Sequence, residues 1–270
     1  MNDIKKKFKD STVIFTVVHY EFECVRLTLL NILSIIETME NTYLVIINSK
    51  SSEKIALFLN QIKSDKVDMV NLPINFGYNH GINYYIRDFI SDENLPQCII
   101  SLGADILFSQ NDFETLVDAI MNLEKYGTIS LSYEKNKCNP ERNVLKAKEV
   151  IGKNGKKYSI RHTFSCPVAG GIMGIRGEIL RNDLNYKLFH PKYFPKRYLD
   201  VSPVGGADSA LYNALKRTYK VGYIADTKAL HMKSRDGKII DISEGWRHFI
   251  QGILSKSPNL IAENSVMKDF

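Results

Sequence analysis

The stretch Cys98-Ile-Ile-Ser-Leu-Gly-Ala-Asp-Ile-Leu-Phe108 is an apolar run that carries one carboxylate, Asp105, near its end. Its composition predicts a buried strand over residues 98–102 that gives way to a turn. A carboxylate beside buried apolar surface is costly unless a cation or a hydrogen-bond donor meets it. Asp105 is therefore a candidate ligand for a metal-bound substrate. The alternative is a cap or turn residue, because Asp is common where strands end.

Apolar segments on both sides of this stretch alternate with helix-like patterns. Continuous β-branched and apolar runs are typical of parallel strands that are covered on both faces. The alternation predicts an α/β fold with a doubly wound, mostly parallel central sheet flanked by helices. Ligands are expected at the carboxyl ends of its strands. The other predicted strands are residues 12–18, 43–47, 67–72, 128–132 and 221–224, and the predicted helices are 25–36, 55–62, 81–90 and 112–123.

The composition is that of an ordinary globular protein. The chain has 270 residues, of which 44% are hydrophobic and 24% charged. No apolar run approaches the roughly 20 residues of a membrane span. Residues 1–10 are charged and lead into no signal-like apolar region, so a cytoplasmic location is expected. The four cysteines form no Cys-x-x-Cys pair, which indicates neither a zinc site nor a disulfide framework.

Positive charge is concentrated in one segment. Residues 135–161 hold nine basic and two acidic residues, a net charge of +7, whereas the whole chain carries +6. The Asn154-Gly155 pair lies between β-like arms and predicts a basic hairpin insertion. Such a local field favours an anionic partner such as nucleic acid or an anionic glycolipid, and the alternative is a solvated surface loop. The candidate contacts are Lys153, Lys156 and Lys157.

Four short segments then occur in a recognisable order. They are Asn75-Phe-Gly-Tyr-Asn-His-Gly-Ile-Asn83, Gly103-Ala-Asp105, Val168-Ala-Gly-Gly-Ile-Met-Gly-Ile-Arg176, and Gly205-Gly-Ala-Asp-Ser-Ala-Leu211 on the way to His231. Together they resemble the nucleotide-sugar glycosyltransferases of family two, which have the GT-A fold. The resemblance covers residues 12–232. It implies a GT-A domain over residues 1–232 and leaves 233–270 as a C-terminal helical extension.

The resemblance implies a set of donor-binding residues. The end of the first strand, with His19 and Tyr20, stands where the family holds the nucleotide base, and an aromatic ring there can stack on it. Asn48 replaces the Asp that usually contacts the base or ribose. Glycines let the backbone approach a nucleotide, and Asn side chains bond sugar hydroxyls. The full implied set is Val18, His19, Tyr20, Asn48, Asn75, Gly77, Gly81, Asn83, Gly103 and Ala104.

The resemblance also implies a divalent metal. Asp105 corresponds to the final Asp of the family's Asp-x-Asp signature, which holds Mn²⁺ or Mg²⁺ against the donor diphosphate. Gly103 replaces the first Asp of that signature. His231, expected in a loop after the 221–224 strand, is the candidate further ligand, or else a packed or surface residue. A mixture of imidazole and carboxylate favours Mn²⁺ over Mg²⁺.

Asp208 falls where the family has the general base of an inverting transferase. Such a base removes the proton of the acceptor hydroxyl as its oxygen attacks the anomeric carbon. The alternative is a helix N-cap, and both roles are compatible. Gly170 and Gly171 resemble glycines of the acceptor side. Residues 186–198 interleave aromatic and cationic side chains, with Tyr193 and Arg197 among them, and are expected to form an acceptor lid or to cover the sheet edge.

Residues 246–256 form an amphipathic pattern, whose apolar side is expected to pack on the domain or to dock on an anionic membrane. The chain is thus expected to be a hexosyl- or pentosyltransferase that uses a nucleotide-diphosphate sugar. Its acceptor is a glycan or glycolipid, or alternatively a hydroxymethylated base in phage DNA. A nucleotidyltransferase and a non-catalytic nucleotide-sugar binding protein are the other classes considered. The oligomeric state is left open.

Overall fold

Four parallel strands form the first half of the sheet. The computed structural model describes residues 3–134, 146–163, 171–194, 206–240 and 242–256. Within it, strands β1 (Thr12–Val18), β2 (Thr42–Ser49), β3 (Val67–Leu72) and β4 (Cys98–Leu102) pair in the order β3-β2-β1-β4. Every residue of β1, β2 and β4 is buried. Their continuous apolar character follows from this burial, because both faces of the sheet are covered.

Helices connect these strands. A short helix α1 (Asp3–Lys6) precedes β1, and α2 (Phe22–Ile36), α3 (Glu53–Leu59) and α4 (Gly77–Phe89) follow β1, β2 and β3. The helices α3 and α4 begin and end within a few residues of the predicted ranges. The Ser52 side chain accepts a hydrogen bond from the backbone of Ile55 and so caps the start of α3.

The second half of the chain extends the same sheet. It contains a 3₁₀ turn at Pro191–Tyr193 and a further set of strands and helices. The Ser109 side chain caps α5. The remaining elements are β5 (Ile106–Phe108), α5 (Gln110–Asn122), β6 (Tyr126–Tyr133), β7 (Lys148–Ile151), β8 (Lys157–His162), β9 (Ile172–Arg176), α6 (Gly177–Asn182), α7 (Ala207–Leu215), β10 (Lys220–His231), β11 (Lys233–Arg235), β12 (Lys238–Ile240) and α8 (Glu244–Lys256).

Within the described ranges the sheet has ten strands in the order β3-β2-β1-β4-β9-β6-β10-β8-β7, with β5 paired to β10. The strands β5, β8 and β9 run against the direction of the others. The apolar residues of α2, α5 and α8 pack on one face of the sheet, and those of α4, α6 and α7 pack on the other. The predicted α/β class and mostly parallel central sheet are therefore confirmed. The predicted hairpin around Asn154-Gly155 is β7 and β8.

Two features differ from the sequence prediction. The strand predicted over 221–224 continues as β10 to His231, because a register shift between Ile224 and Ala229 lets its second half pair with β5. In addition, the C-terminal extension opens with the β11–β12 hairpin before its helix. Periodicity does not predict the long strand, because the residues at the register shift are polar. It does not predict the hairpin either, because each of its strands is only a few residues long.

The helix α8 packs its apolar residues on the domain. Ile250 and Ile253 are buried, and Trp246, Phe249 and Leu254 lie against the same core. The first of the two sequence interpretations of this helix therefore fits the structure. Among the described residues, no helix is both long and apolar enough to span a membrane.

Candidate active site

A cleft of about 390 Å³ lies at the carboxyl ends of β1 and β4. Because β10 runs parallel to the strands of this half of the sheet, its final residue, His231, reaches the same edge. The remaining walls come from five segments: the β1–α2 turn, the start of α4, the turn after β4, the start of β9 and the first turn of α7. Sequence reasoning placed the ligand site at this edge.

Asp105 and His231 form the polar centre of the cleft. Atom Nε2 of His231 lies 2.8 Å from Oδ2 of Asp105. The two residues are held together by the β5–β10 ladder, in which His231 pairs with Ile106, and by a 2.8 Å hydrogen bond from the Met232 N–H to the Asp105 carbonyl oxygen. Hydrogen bonding to the Asp105 carboxylate raises the pKa of His231, although desolvation opposes the rise. The sequence prediction that these side chains act together fits this geometry.

Gly103 and Gly171 permit a close backbone approach next to this pair. The Gly103 N–H donates to the Gly171 carbonyl oxygen over 2.6 Å. A Cβ atom on Gly103 would lie 2.8 Å from Oδ1 of Asp105, and one on Gly171 would lie 2.6 Å from the Tyr133 hydroxyl. Gly103, Gly171 and Ala104 all line the cleft. A side chain at either glycine would therefore displace the groups that shape the site.

The β1–α2 turn brings two rings to the cleft. Nδ1 of His19 lies 2.8 Å from the Ser49 carbonyl oxygen, so this nitrogen carries the proton in the neutral ring and Nε2 can accept. The Tyr20 ring stands edge-on to His19 at 5.6 Å and is 58% exposed. Val18, also assigned to the donor, is fully buried, and its neighbour Val17 lines the cleft instead. The alternation of side chains along a strand explains this exchange.

Glu21 and Cys24 line the cleft but were missed in the sequence. Glu21 is the N-cap of α2 with a left-handed backbone conformation, φ 62°. Its Oε2 accepts from Cys24 Sγ at 3.5 Å and from Ser234 Oγ at 3.3 Å. Burial raises the pKa of the Cys24 thiol, which keeps it protonated. The available signal was the position of Glu21 directly after His19 and Tyr20.

The β3–α4 loop contributes Asn75, Gly77 and Tyr78. The Asn75 Oδ1 accepts from the Gly77 N–H at 2.8 Å, and Gly77 has a φ of 68°, which favours glycine. Asn75 and Gly77 line the cleft as predicted. Tyr78, which the sequence analysis did not single out, also lines it, and its hydroxyl lies 2.5 Å from Ser101 Oγ.

Three other residues of the implied donor set lie outside the cleft lining. Asn48 Nδ2 donates to Asn71 at 2.8 Å, within the sheet edge. Gly81 faces Ile47 and Val17, where a Cβ would come within 3.3 Å of a side chain, so it allows α4 to pack on the sheet. Asn83 bonds both backbone groups of Phe189, at 2.7 and 3.1 Å. These contacts give the three residues structural roles, and a donor contact for them is an expectation only.

Asp208 lines the cleft from the first turn of α7. The N-cap of α7 is Gly206, with φ 85°, so the sequence interpretation of Asp208 as the N-cap is wrong. The Asp208 carboxylate still accepts from the Ser209 N–H at 2.7 Å. Glycine takes the cap position because the backbone there is left-handed. The carboxylate is thus held at the cleft by its own helix.

Helices that begin at the cleft share one property. The N-cap residues of α2, α4 and α7 are Glu21, Phe76 and Gly206, and none of them caps its helix with a side chain. The serine-capped helices α3 and α5 do not contribute residues to the cleft. The first turns of α2, α4 and α7 border the site, and the positive ends of these helix dipoles favour negative charge there.

The residues assigned to the acceptor side are only partly described. Gly170 and Arg197 lie outside the described residues, and Gly171 lines the cleft. Tyr193 does not line it, and its carbonyl oxygen accepts from Asn213 Nδ2 of α7 at 3.1 Å. With the Asn83 contacts, this bond fastens residues 189–193 to α4 and α7. The described part of the predicted lid is therefore anchored to both helices.

The predicted basic patch is largely engaged within the chain. Lys156 pairs with Asp118 at 2.7 Å and Lys157 with Glu149 at 3.0 Å. Lys153 lines a second cavity together with Asp10 and Gln97, which precede β1 and β4. This cavity is at the amino ends of those strands, so Lys153 lies at the edge of the sheet opposite to the cleft.

Comparison with known proteins agrees with this architecture. Residues 13–183 match the model of glycosyl transferase family 2. The mannosyltransferase PcManGT from Pyrobaculum calidifontis, solved with GDP-Man and Mn²⁺, is 14% identical with a TM-score of 0.57, and the match covers 94% of this chain and 66% of that one. GalNAc-T7, solved with UDP, GalNAc and Mn²⁺, is 13% identical with a TM-score of 0.55, covering 85% and 45%.

A third structure, S. aureus TarS 1-349, is 11% identical with a TM-score of 0.50, and the match covers 82% of this chain and 60% of that one. This chain therefore spans between about half and two thirds of the length of these proteins. No curated protein sequence matches it. At such identities the structural likeness concerns the fold, and it confirms the predicted GT-A architecture. The family model covers more than half of the sequence, and the chain belongs to glycosyl transferase family 2.

Proposed function

We propose that this protein transfers a sugar from a nucleotide-diphosphate donor to an acceptor hydroxyl with the help of a divalent metal. The observation that carries the proposal is the Asp105–His231 pair, 2.8 Å apart, in a cleft that Asp208 also lines. The site thus combines a carboxylate and an imidazole suited to a metal-bound diphosphate with a second carboxylate suited to an acceptor proton.

The side chains of the cleft fit a divalent metal that the substrate helps to hold. Among the described residues, no group of three His, Cys, Asp or Glu side chains is arranged to hold a metal by itself. Asp105 and His231 would supply two ligands, and diphosphate oxygens and water the others, as is usual for metals that bind with phosphates. Mn²⁺ accepts imidazole beside carboxylate better than Mg²⁺ does, so we propose Mn²⁺. Bound there, it would neutralise negative charge on the leaving diphosphate.

The donor is proposed to lie between the β1–α2 turn and α4. Tyr20 and His19 present ring faces or edges on which a nucleotide base can stack. The first turns of α2, α4 and α7 border the cleft, where the positive ends of their helix dipoles favour the phosphates. The structures solved with GDP-Man and with UDP and GalNAc support a nucleotide-sugar donor, and a hexose is the sugar we propose.

Asp208 is the proposed general base. The acceptor oxygen attacks the anomeric carbon, its proton passes to the Asp208 carboxylate, and the bond from that carbon to the diphosphate oxygen breaks. A base on the side of the sugar away from the diphosphate leads to inversion of the anomeric centre. The Ser209 N–H donates to the Asp208 carboxylate at 2.7 Å and so helps to hold this side chain at the cleft, which it lines. Removal of such a base typically costs about 10²–10⁴-fold in rate.

A hydroxyl of a glycan or glycolipid is the proposed acceptor. A base in DNA is the weaker alternative, because Lys156 and Lys157 are paired with acidic side chains and Lys153 lies across the sheet from the cleft. The chemistry of the cleft itself does not distinguish the two hydroxyls.

The test begins with a thermal-shift screen of nucleotide sugars, with and without Mn²⁺. A ligand at 100 times its Kd stabilises a protein by about 2.7 kcal/mol, which is well within detection. Hydrolysis and transfer of the selected donor are then measured for Asp208→Asn and Asp105→Ala. We expect Asp208→Asn to bind donor and Mn²⁺ but to lose transfer, and Asp105→Ala to lose Mn²⁺-dependent donor binding.

Asp65→Asn is the matched control, since Asp65 is 83% exposed and pairs with Lys7 on the surface. Full transfer by Asp208→Asn would contradict the role of Asp208 as general base. Undiminished Mn²⁺-dependent donor binding by Asp105→Ala would contradict the role of Asp105 as a metal ligand. Donor binding without any hydrolysis or transfer by the wild type would instead identify a non-catalytic nucleotide-sugar binding protein.

A further inference from the structure

The β11–β12 hairpin, residues 233–240, presents two different faces. Asp236 and Gly237 form its turn with φ values of 53° and 73°. In its antiparallel register Lys233 pairs with Ile240, Ser234 with Ile239, and Arg235 with Lys238. Directly paired residues share a face and successive residues alternate. Ser234 and Ile239 therefore lie on one face, and Lys233, Arg235, Lys238 and the half-buried Ile240 share the other.

The Ser234–Ile239 face fastens the hairpin to the border of the cleft. Ser234 Oγ donates to Glu21 Oε2 at 3.3 Å, and Glu21 lines the cleft. Ile239 packs on the main core. His231, which ends β10, lies only two residues before the hairpin. The opposite, cationic face is therefore directed away from the domain at the edge of the active-site opening.

The three cations of this outer face are available to a partner. Lys233, Arg235 and Lys238 are exposed, and within the part of the chain that the structure describes none of them forms an ion pair. None of them lines the cleft. They differ in this from Lys156 and Lys157, whose charges are already met by Asp118 and Glu149. Lys156 and Lys157, two of the basic residues predicted to contact an anionic partner, are thus less available than these three cations.

We propose that the outer face of the 233–240 hairpin docks the protein on an anionic lipid surface, with the cleft opening at that surface. Three cations on a small flat patch suit a bilayer, because headgroups are mobile and can meet charges at any spacing. Duplex DNA is a poorer fit, since DNA-binding proteins commonly neutralise about 6–10 phosphates. The apolar residues of α8 are packed in the core, so the attachment is electrostatic and reversible.

The test compares two triple variants that remove equal charge. Binding to vesicles of equal parts phosphatidylglycerol and phosphatidylcholine is measured by co-sedimentation at low and high salt, with pure phosphatidylcholine vesicles alongside. The variants are Lys233→Gln/Arg235→Gln/Lys238→Gln and the control Lys153→Gln/Lys156→Gln/Lys157→Gln. Each basic side chain near an anionic bilayer contributes about fivefold to binding, so the hairpin variant should lose about a hundredfold. The control should change by less than about fivefold.

The single variants Arg235→Gln and Lys238→Gln guard against misfolding of the triple variant, and each should lose about fivefold. Failure of the wild type to bind anionic vesicles, or an equal loss in both triple variants, would overturn the proposal. Loss of duplex-DNA binding in the hairpin variant, without vesicle binding by the wild type, would overturn it in favour of a nucleic acid. Vesicle binding needs no donor or turnover, so this result is independent of the proposed activity.

Discussion

Replacement of Gly103 by alanine would test the Asp105–His231 pair without altering either side chain. The added Cβ would lie 2.8 Å from Oδ1 of Asp105, closer than real Cβ atoms approach an oxygen, and 3.4 Å from the Gly171 carbonyl oxygen. The φ of Gly103 is outside the left-handed range, so alanine adds no backbone strain. The Asp105 carboxylate must therefore rotate, which moves Oδ2 away from its 2.8 Å contact with His231.

The size of the effect follows from the displaced Asp105 carboxylate, because the hydrogen bond between His231 Nε2 and Asp105 Oδ2 is in any case given up when these side chains bind a metal. Misorientation of metal-binding side chains typically costs about 10–100-fold in metal affinity. We expect Gly103→Ala to weaken Mn²⁺ binding about tenfold in the presence of a nucleoside diphosphate. Gly103→Asp, which recreates the family's first carboxylate, should also weaken it, because it carries the same Cβ.

Electron paramagnetic resonance of unbound Mn²⁺ gives the Mn²⁺ affinity, and NMR of the histidine side chains as a function of pH gives the pKa of His231. Because hydrogen bonding to Asp105 raises the pKa of His231, the pKa should fall in Gly103→Ala. Gly252→Ala is the control, since a Cβ there has no neighbour within 4 Å. Unchanged Mn²⁺ affinity together with an unchanged His231 pKa would refute the assigned geometry.

Three further predictions concern the cleft, the brace that Asn83 forms with the Phe189 backbone, and the sheet. Tyr20→Ala should weaken donor binding by about 1–3 kcal/mol through lost base stacking, and Tyr20→Phe should retain it; equal binding by all three proteins in calorimetry would exclude stacking. Asn83→Leu removes two hydrogen bonds to Phe189 and should lower the free energy of unfolding by about 1–3 kcal/mol in urea titrations, and a smaller loss would contradict the brace. Desolvation lowers the pKa of His162, so its folded form resists protonation, and stability should fall as the pH drops below about 6.5. His162→Gln should flatten this dependence in thermal melts, with little difference from wild type at alkaline pH; an equally steep acid loss in the variant would assign it to other groups.

Strand and helix identity in the first half of the chain were predictable because burial on both faces leaves continuous apolar runs. The run around Asp105 also placed its carboxylate at the correct edge. The pairing of distant strands was harder to predict. Strand β10 reaches His231 only through a register shift after Ile224, and the residues at this shift are polar enough to suggest a loop. The Asp236-Gly237 pair is a strong hairpin signal that the sequence analysis did not use, and its strands are too short for periodicity to reveal.

The composition of the cleft was predicted only in part. The motif around Asn75 mixes residues of two kinds, since Asn75 and Gly77 face the cleft while Gly81 and Asn83 serve packing. Spacing along a helix cannot separate these kinds without knowledge of which face meets the sheet. The available signal for Glu21 was its position directly after His19 and Tyr20, because a left-handed backbone at a non-glycine residue has no reliable sequence signature.

The absence of side-chain caps at Glu21, Phe76 and Gly206 makes local order at the cleft depend on its contents. Each of these first turns has amides without an intrahelical partner, although Asn75 accepts from the Gly77 N–H in α4 and Asp208 accepts from the Ser209 N–H in α7. An anionic ligand that accepts from these amides would close all three turns together. Amide hydrogen exchange should then slow on three separate helices when the donor binds, while α3 and α5 exchange at unchanged rates. The first turns of these helices would thus become ordered each time a donor molecule binds and would loosen again each time a product leaves.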